Sequence, residues 1–132
     1  MKTSTKHRRT LATLLAIPLI WLAQIAAAAE LVMVEEAGCT WCERWNEEIG
    51  VVYHKTDEGQ RAPLRRVDID ELPVDVTFKT RPRYTPTFVL VEGGTEVGRI
   101  EGHPGEDFFW PMLNRLMDKL PPAATSSDTA TN

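Results

Sequence analysis

The chain has 132 residues, with 19 Asp and Glu against 15 Lys and Arg, so its formal net charge at pH 7 is −4. The first 29 residues contain four Lys or Arg and no acid, and without them the balance is 11 basic to 19 acidic residues, or −8. An acidic chain repels phosphate groups, which argues against nucleic acid or an anionic membrane surface as the main partner.

The first 29 residues have the three-part layout of a secretory signal. A basic opening is followed by an apolar run, Leu11–Ala23, and then by small residues that suit a signal peptidase. We therefore predict a signal peptide at 1–29, cleavage after Ala29 and export to the periplasm. An uncleaved anchor stays an alternative, although the run is short for a membrane span. The Arg8–Arg9 pair also fits twin-arginine export, which we rank below ordinary secretion.

One small domain is predicted at 30–120, and a disordered tail without apolar periodicity at 121–132. The domain opens with an apolar run, Leu31–Val34, typical of a strand covered on both faces. A helix should begin near the cysteine pair, with Trp45, Ile49 and Val52 facing the sheet. Leu64–Asp70 alternates as a second strand, and a strand–helix–strand unit of this length predicts a parallel pair.

The second half of the domain is predicted to be a hairpin followed by a helix. Two β-rich runs, 85–91 and 96–100, flank Gly93–Gly94, the usual pattern of a hairpin. The last helix should turn one apolar stripe toward the core. The stripe consists of Phe108, Phe109, Met112, Leu113, Leu116 and Leu120. Pro111 requires that this helix begin near Asp107, which would cap it. The pattern assigns no element to residues 71–84.

Both cysteines of the chain, Cys39 and Cys42, lie two residues apart between a predicted strand and a predicted helix. This setting indicates a redox dithiol, because a helix N-terminus favours the thiolate of a cysteine at its edge. We expect Cys39 to attack a disulfide and the more buried Cys42 to resolve the mixed disulfide. A c-type haem site would need His where Glu43 stands. A metal site with His54 and His103, or an inert disulfide, stays open at a lower rank.

Thr85–Pro86 opens the third predicted strand, a position where proline is tolerated. From the residues alone a trans peptide bond is the expected state, since few X-Pro bonds in folded proteins are cis.

The order of strand, C-x-x-C helix, strand, Thr-Pro strand, Gly-Gly hairpin and final helix resembles the thioredoxin fold over about Leu31 to Leu120. The resemblance implies an α/β, three-layer fold with a central mixed sheet of about four strands and the C-x-x-C pair at a helix N-terminus. It also implies that Pro86 is cis beside the cysteines and that Thr85 pairs through its backbone with the substrate. A Thr before this Pro resembles the sequence of the exported family members that reduce or isomerise disulfides more than that of the strong oxidants.

Longer stretches resemble the SoxS-type periplasmic thioredoxins of bacterial sulfur-oxidation systems, at 31–35, 38–45, 63–68, 84–91 and 97–102. This resemblance implies a thiol–disulfide oxidoreductase that keeps the cysteine-bearing carrier of the sulfur-oxidation system in its thiol form. It implies a membrane thiol reductant of the DsbD or CcdA type as electron source, and no cofactor or metal besides the dithiol. We expect a monomer. Thiol reduction for cytochrome c maturation, disulfide isomerisation, and a non-catalytic metal-binding or interaction module are the alternatives.

Two residues depart from the thioredoxin pattern in ways that matter for the chemistry. Met33 stands where thioredoxin keeps a buried Asp as proton acceptor, so the usual base for Cys42 is missing. Glu35 or Glu36 is the candidate substitute, although carboxylates at such positions are more often solvated. The dipeptide between the cysteines is Thr-Trp, so no reduction potential transfers from better-known members.

Two further features have two interpretations each. Trp41 either packs partly buried on its own helix or forms a contact surface for a partner. The basic residues Lys79, Arg81 and Arg83 are either solvated or, if they lie beside Cys39, lower the pKa of its thiol and attract an acidic partner.

Overall fold

The computed structural model describes residues 28–122, so most of the predicted signal peptide and tail lies outside it and their boundaries stay predictions. Its strands are β1 (Glu30–Glu35), β2 (Leu64–Asp68), β3 (Thr87–Glu92) and β4 (Thr95–Glu101). They form one sheet in the order β2-β1-β3-β4. β1 is parallel to β2 and antiparallel to β3, and β3 is antiparallel to β4. The predicted mixed sheet, its parallel pair and its hairpin are confirmed.

The helical segments are α1 (Thr40–Trp45), a π-helical turn (Asn46–Gly50), α2 (Val51–Tyr53), α3 (Asp57–Arg61) and α4 (Glu106–Met117). The first three follow one another without a break. Within residues 28–122, none of the helices has the length and apolar character that a membrane crossing requires.

The π-helical turn decides which residues of this first helical stretch face the sheet. Trp45 and Ile49 are fully buried, as predicted, but Val52 is 40% exposed and Tyr53 is buried instead. A π-helical turn contains more residues than an α-helical turn, which moves the buried face one position along the chain. The prediction for Val52 is therefore wrong. The Tyr53 hydroxyl donates to the carbonyl oxygen of Ala62 at 2.8 Å, and burial raises the pKa of Tyr53.

Helices cover one face of the sheet, and the irregular segment before β3 covers the other. On the helix side, Trp45 packs between Phe88 and Phe109, with ring centroids 4.9 and 5.6 Å apart. On the opposite side, alternate residues of β1 and β3 form an aliphatic core, as their period of two requires. This second core consists of Val32, Val34, Val76, Val89 and Val91, with Leu72 and Phe78 packed against it. Helices, sheet and irregular segment thus form three layers.

Helix α4 packs its apolar stripe on the sheet, but the stripe differs from the predicted one. Phe108 is 67% exposed and Met112 is 39% exposed, whereas Phe109, Leu113 and Leu116 are buried together with Met117 and Leu120. The helix begins at Glu106 with Gly105 as its N-cap, so the predicted cap by Asp107 is also wrong. Two adjacent aromatic residues differ by about 100° around a helix, so only one of them can face the core.

Residues 71–84, which the sequence pattern left unassigned, are fixed to β4 by polar contacts. The N–H of Glu96 donates to the carbonyl oxygen of Thr77 at 3.0 Å. The buried Glu96 carboxylate accepts from the backbone N–H of Lys79 at 2.8 Å and from the Arg99 guanidinium at 2.6 and 2.7 Å. Arg99 also donates to the carbonyl oxygen of Thr80 at 2.6 Å. A side-chain ion pair therefore positions this segment, which leads directly into Thr85.

Candidate active site

The turn after β1 places Cys39 at the start of the helix. Gly38 has a φ of 75°, a left-handed conformation that strains other residues. The N–H of Cys39 donates to the carbonyl oxygen of Glu36 at 3.4 Å. Cys39 itself is the N-cap of α1, with an extended backbone, and the helix begins at Thr40. The predicted position of the cysteine pair at a helix N-terminus is confirmed.

The two cysteines differ in exposure and in hydrogen bonding. They form a disulfide with their Cα atoms 5.2 Å apart. The Sγ of Cys39 accepts the N–H of Cys42 at 3.1 Å. Cys39 is half-buried, whereas Cys42 is only 4% exposed and belongs to the helix-side core. A thiolate on Cys39 would keep this N–H and the positive end of the helix dipole, which favours Cys39 as the nucleophile. The burial of Cys42 suits a resolving residue.

Thr85 and Pro86 lie at the same edge of the sheet as the cysteine turn. β1 and β3 are antiparallel, with Val34 opposite Thr87, so the residue stretch after β1 meets the stretch before β3. The Thr85–Pro86 peptide bond is cis, which is the state that the family resemblance implies. The Thr85 hydroxyl donates to the Glu36 carboxylate at 2.5 Å, which ties the two loops together.

Trp41 projects from the helix between the two cysteines. Its side chain is 55% exposed, and the Arg44 guanidinium carbon lies 5.9 Å from the ring centroid. Packing on its own helix therefore buries less than half of the Trp41 surface. The exposed remainder is apolar area next to the disulfide, as a contact surface for a partner requires.

Met33 is fully buried in the same core as Cys42, so no carboxylate occupies this position behind the disulfide. The Arg66 guanidinium donates to Met33 Sδ at 3.5 Å, to the Glu35 carboxylate at 2.8 Å and to Asn46 Oδ1 at 2.6 Å. Glu35 is thus held in an ion pair on the surface of β1. The proposal that Glu35 tunes the pKa of a cysteine stays a prediction.

The three basic residues before Pro86 do not form one cluster of free cations. The Lys79 ammonium donates to the carbonyl oxygen of Val97 at 2.8 Å, and Arg81 donates to the carbonyl oxygen of Ile69 at 3.0 Å. These two side chains thus brace the irregular segment. Arg83 is exposed, and its predicted effect on the Cys39 thiol stays a prediction.

Sequence reasoning missed a polar pair beside the cysteine helix, formed by Glu48 and His103. The His103 side chain is 1% exposed, and its Nε2 lies 2.8 Å from Glu48 Oε2. The hydrogen bond from His103, together with that from Arg44, holds the pKa of Glu48 below its ordinary value. The only signal in the sequence was a Gly-His-Pro-Gly turn directly after the last strand, and 55 residues separate the two partners.

His54 and His103 were also the candidate ligands of a metal site. Within the described range 28–122, no group of three or more His, Cys, Asp or Glu side chains is arranged to hold a metal ion. His103 is instead engaged with Glu48, and His54 is exposed at the end of the first helical stretch.

The solved structures that are similar to this chain include two thioredoxins. The periplasmic thioredoxin SoxS from Paracoccus pantotrophus, in its reduced form, is 49% identical, with a TM-score of 0.66; the match covers 68% of this chain and 96% of that chain. The thioredoxin Mala s 13 from Malassezia sympodialis is 20% identical, with a TM-score of 0.48, over 70% of this chain and 79% of that chain. A scan against protein-family models finds no match, and a search of curated proteins finds none either.

Proposed function

Because this chain belongs to the thioredoxin family and is a thiol–disulfide oxidoreductase, we propose that it is an exported reductant of a protein disulfide. Its substrate is then the cysteine-bearing carrier protein of a bacterial sulfur-oxidation system, which it keeps in the thiol form. The observation that carries this proposal is the 49% identity to a periplasmic SoxS across 96% of that chain. The predicted signal peptide supports export.

The reaction needs only the two sulfur atoms of the site. The Cys39 thiolate attacks one sulfur of the partner disulfide, forming a Cys39–partner disulfide and releasing the other partner sulfur as a thiolate. The Cys42 thiol loses its proton and attacks Cys39 Sγ, which releases the second partner thiolate and forms the Cys39–Cys42 disulfide. Two electrons have passed from the dithiol to the partner. One partner thiolate takes up the proton lost by Cys42, and the other takes up from water the proton that Cys39 released when it ionised.

A second dithiol must then reduce the Cys39–Cys42 disulfide, since the periplasm is an oxidising compartment. We propose a membrane thiol reductant of the DsbD or CcdA type for this step. The same two exchanges run in the opposite direction there, with the membrane dithiol becoming a disulfide. The protein is expected to act as a monomer in both exchanges.

The residues around the pair have distinct proposed roles. Thr85 presents its backbone to an extended segment of the partner, and Pro86 forms the wall of the site beside the disulfide. Trp41 supplies apolar contact area. Arg83 favours the thiolate of Cys39 electrostatically, and Glu35 is the candidate for the acid–base role that Met33 cannot fill.

Trapping of the partner tests the proposal. In a Cys42→Ser variant the resolving step is blocked, so a mixed disulfide through Cys39 should accumulate with the partner in the periplasm of the native host. The matched Cys39→Ser variant should trap little, because the remaining thiol is buried. Identification of the sulfur-oxidation carrier in the trapped complex would support the full proposal. The proposal fails if neither variant loses activity and no mixed disulfide forms.

The identity of the trapped protein also distinguishes the second candidate function. Thr85 before the cis proline is similar to reducing and isomerising family members, which favours reduction for cytochrome c maturation or disulfide isomerisation as the alternative. An apocytochrome with its two haem-binding cysteines would indicate the first of these. A range of multi-disulfide proteins would indicate the second.

A further inference from the structure

An open groove lies between the first helical stretch, from Trp41 to Glu48, and the start of α4. It has a volume of about 630 Å³ and is lined by Trp41, Arg44 and Glu48 on one side and by residues 103–108 on the other. We propose that this groove binds a segment of the disulfide partner that carries an apolar side chain and a Lys or Arg near the reacting cysteine. The proposal rests on the proposed function, because the occupant is the polypeptide that Cys39 attacks.

Two aromatic side chains form the apolar part of the groove. Trp41 is 55% exposed and Phe108 is 67% exposed, although both are large hydrophobic residues. They come from different elements, the cysteine helix and the first turn of α4, and both line the same groove. Exposed aromatic residues grouped around a concavity are typical of sites that bury an apolar side chain of a partner.

Two carboxylates at the groove have no ion-pair partner among residues 28–122. Glu106 and Asp107 are exposed in the first turn of α4, and neither forms an ion pair within residues 28–122. Within residues 28–122, Arg44 is the one Lys or Arg that lines the groove, and it is bonded to Glu48 at 2.9 Å. A cationic side chain of a partner would therefore meet two acids without displacing a resident cation.

A buried histidine, His103, also borders the groove. Its side chain is only 1% exposed. Its Nε2 faces a carboxylate oxygen of Glu48 at 2.8 Å, so this nitrogen carries the proton. The other ring nitrogen, Nδ1, is buried and has no hydrogen-bond partner in the described part of the chain. The acceptors that an occupant of the groove can reach are the two exposed carboxylates, Glu106 and Asp107, which points to an occupant that donates N–H groups.

Peptide disulfides of matched sequence test the charge preference. Each peptide carries one cysteine, linked to 5-thio-2-nitrobenzoate as the leaving thiol, with Phe and either Lys or Glu at neighbouring positions. The second-order rate constant for attack by the reduced protein is measured from the released thiol. At low ionic strength we expect the Lys peptides to react about tenfold faster than the Glu peptides, and salt should reduce this ratio.

The matched variants separate the groove from net charge. Glu106→Gln/Asp107→Asn should bring the ratio below about threefold, because the two groove acids are gone. Asp57→Asn/Glu58→Gln removes the same charges from the first turn of α3, near the far end of α4, and should leave the ratio unchanged. Phe108→Ser should lower the rate constant of the Phe peptides, whereas the rate constant of control peptides with Ala in place of Phe should not change. Oxidised 2-mercaptoethanol, too small to occupy the groove, should react alike with all variants.

The outcomes distinguish the two proposals. If the wild-type protein shows no preference for Lys, or if both acid-to-amide pairs change it equally, the groove proposal is overturned while the reductant function stands. If the protein reduces neither the peptides nor oxidised 2-mercaptoethanol, the proposed function itself fails.

Discussion

Removal of the buried charge at position 96 should destabilise the fold far more than removal of the neighbouring exposed charge. The Glu96 carboxylate is 2% exposed and accepts from Arg99 and from the backbone N–H of Lys79. Gln in its place keeps the size but leaves the Arg99 guanidinium, which is 13% exposed, without its buried anion. Breaking such a pair costs about 3–5 kcal/mol, and because Gln retains one acceptor we expect a loss of about 3 kcal/mol.

Glu101→Gln is the matched control. Glu101 approaches the same Arg99 at 3.8 Å, but it is 51% exposed, so water screens the interaction and its loss should cost less than about 0.5 kcal/mol. Urea unfolding of the oxidised proteins at pH 7, followed by tryptophan fluorescence, gives both free energies. A double variant, Glu96→Leu/Arg99→Met, should recover most of the loss, since it leaves no unpaired buried charge. The reasoning is refuted if Glu96→Gln and Glu101→Gln cost the same within error.

The pH dependence of the same measurement gives a second check. Burial alone would raise the pKa of Glu96, but the hydrogen bonds from Arg99 and the Lys79 backbone outweigh it and hold that pKa below its ordinary value of 4.5. The folded state therefore binds this proton less readily than the unfolded state. The stabilisation is fully present above pH 4.5 and is lost as the pH falls through the lowered value. The difference in the free energy of unfolding between wild type and Glu96→Gln should therefore shrink as the pH falls below 4.5 and stay constant from pH 6 to 8.

Three further predictions concern the scaffold, each measured by urea unfolding. Phe109→Ala should cost about 3–5 kcal/mol because Phe109 is fully buried, whereas the adjacent Phe108→Ala should cost less than about 0.5 kcal/mol; equal costs would contradict the observed helix face. Gly59→Ala should cost about 3 kcal/mol, since a Cβ there would lie 1.9 Å from a backbone oxygen, and Gln60→Ala should be nearly neutral. Thr56→Ala should cost about 1 kcal/mol through loss of the α3 cap, with Thr56→Ser largely retaining it.

The parts of the fold that depend on local pattern could be predicted from the sequence. The apolar run at Leu31–Val34, the two glycines of the hairpin and the cysteine spacing each determine a local structure with few alternatives. The helix start is also the basis of the roles predicted for Cys39 and Cys42, which stay predictions. The cis state of Pro86 required the family resemblance, because base rates alone favoured trans.

The remaining features depend on contacts between distant residues, which periodicity does not reveal. Because of the π-helical turn, Tyr53 and not Val52 lies on the buried face of the helical stretch, and nothing in the sequence marks such a turn. The segment 71–84 is held by Glu96 and Arg99, which follow it by more than ten residues. The Glu48–His103 pair joins the π-helical turn to the turn after β4. The groove that both residues line could therefore not be predicted without the three-dimensional positions of these two segments.

The first helical stretch contributes residues both to the cysteine pair and to the groove. Cys39 caps its N-terminus, and Trp41, Arg44 and Glu48 follow at the spacing that puts side chains on one face of a helix. If a partner is joined to Cys39, as we propose, its flanking residues are near the groove that Trp41 lines, two positions along the chain. Binding there would raise the local concentration of the correct partner at the sulfur without altering the sulfur's own reactivity. Groove variants should accordingly change the choice of partner, whereas cysteine variants abolish the exchange with every partner.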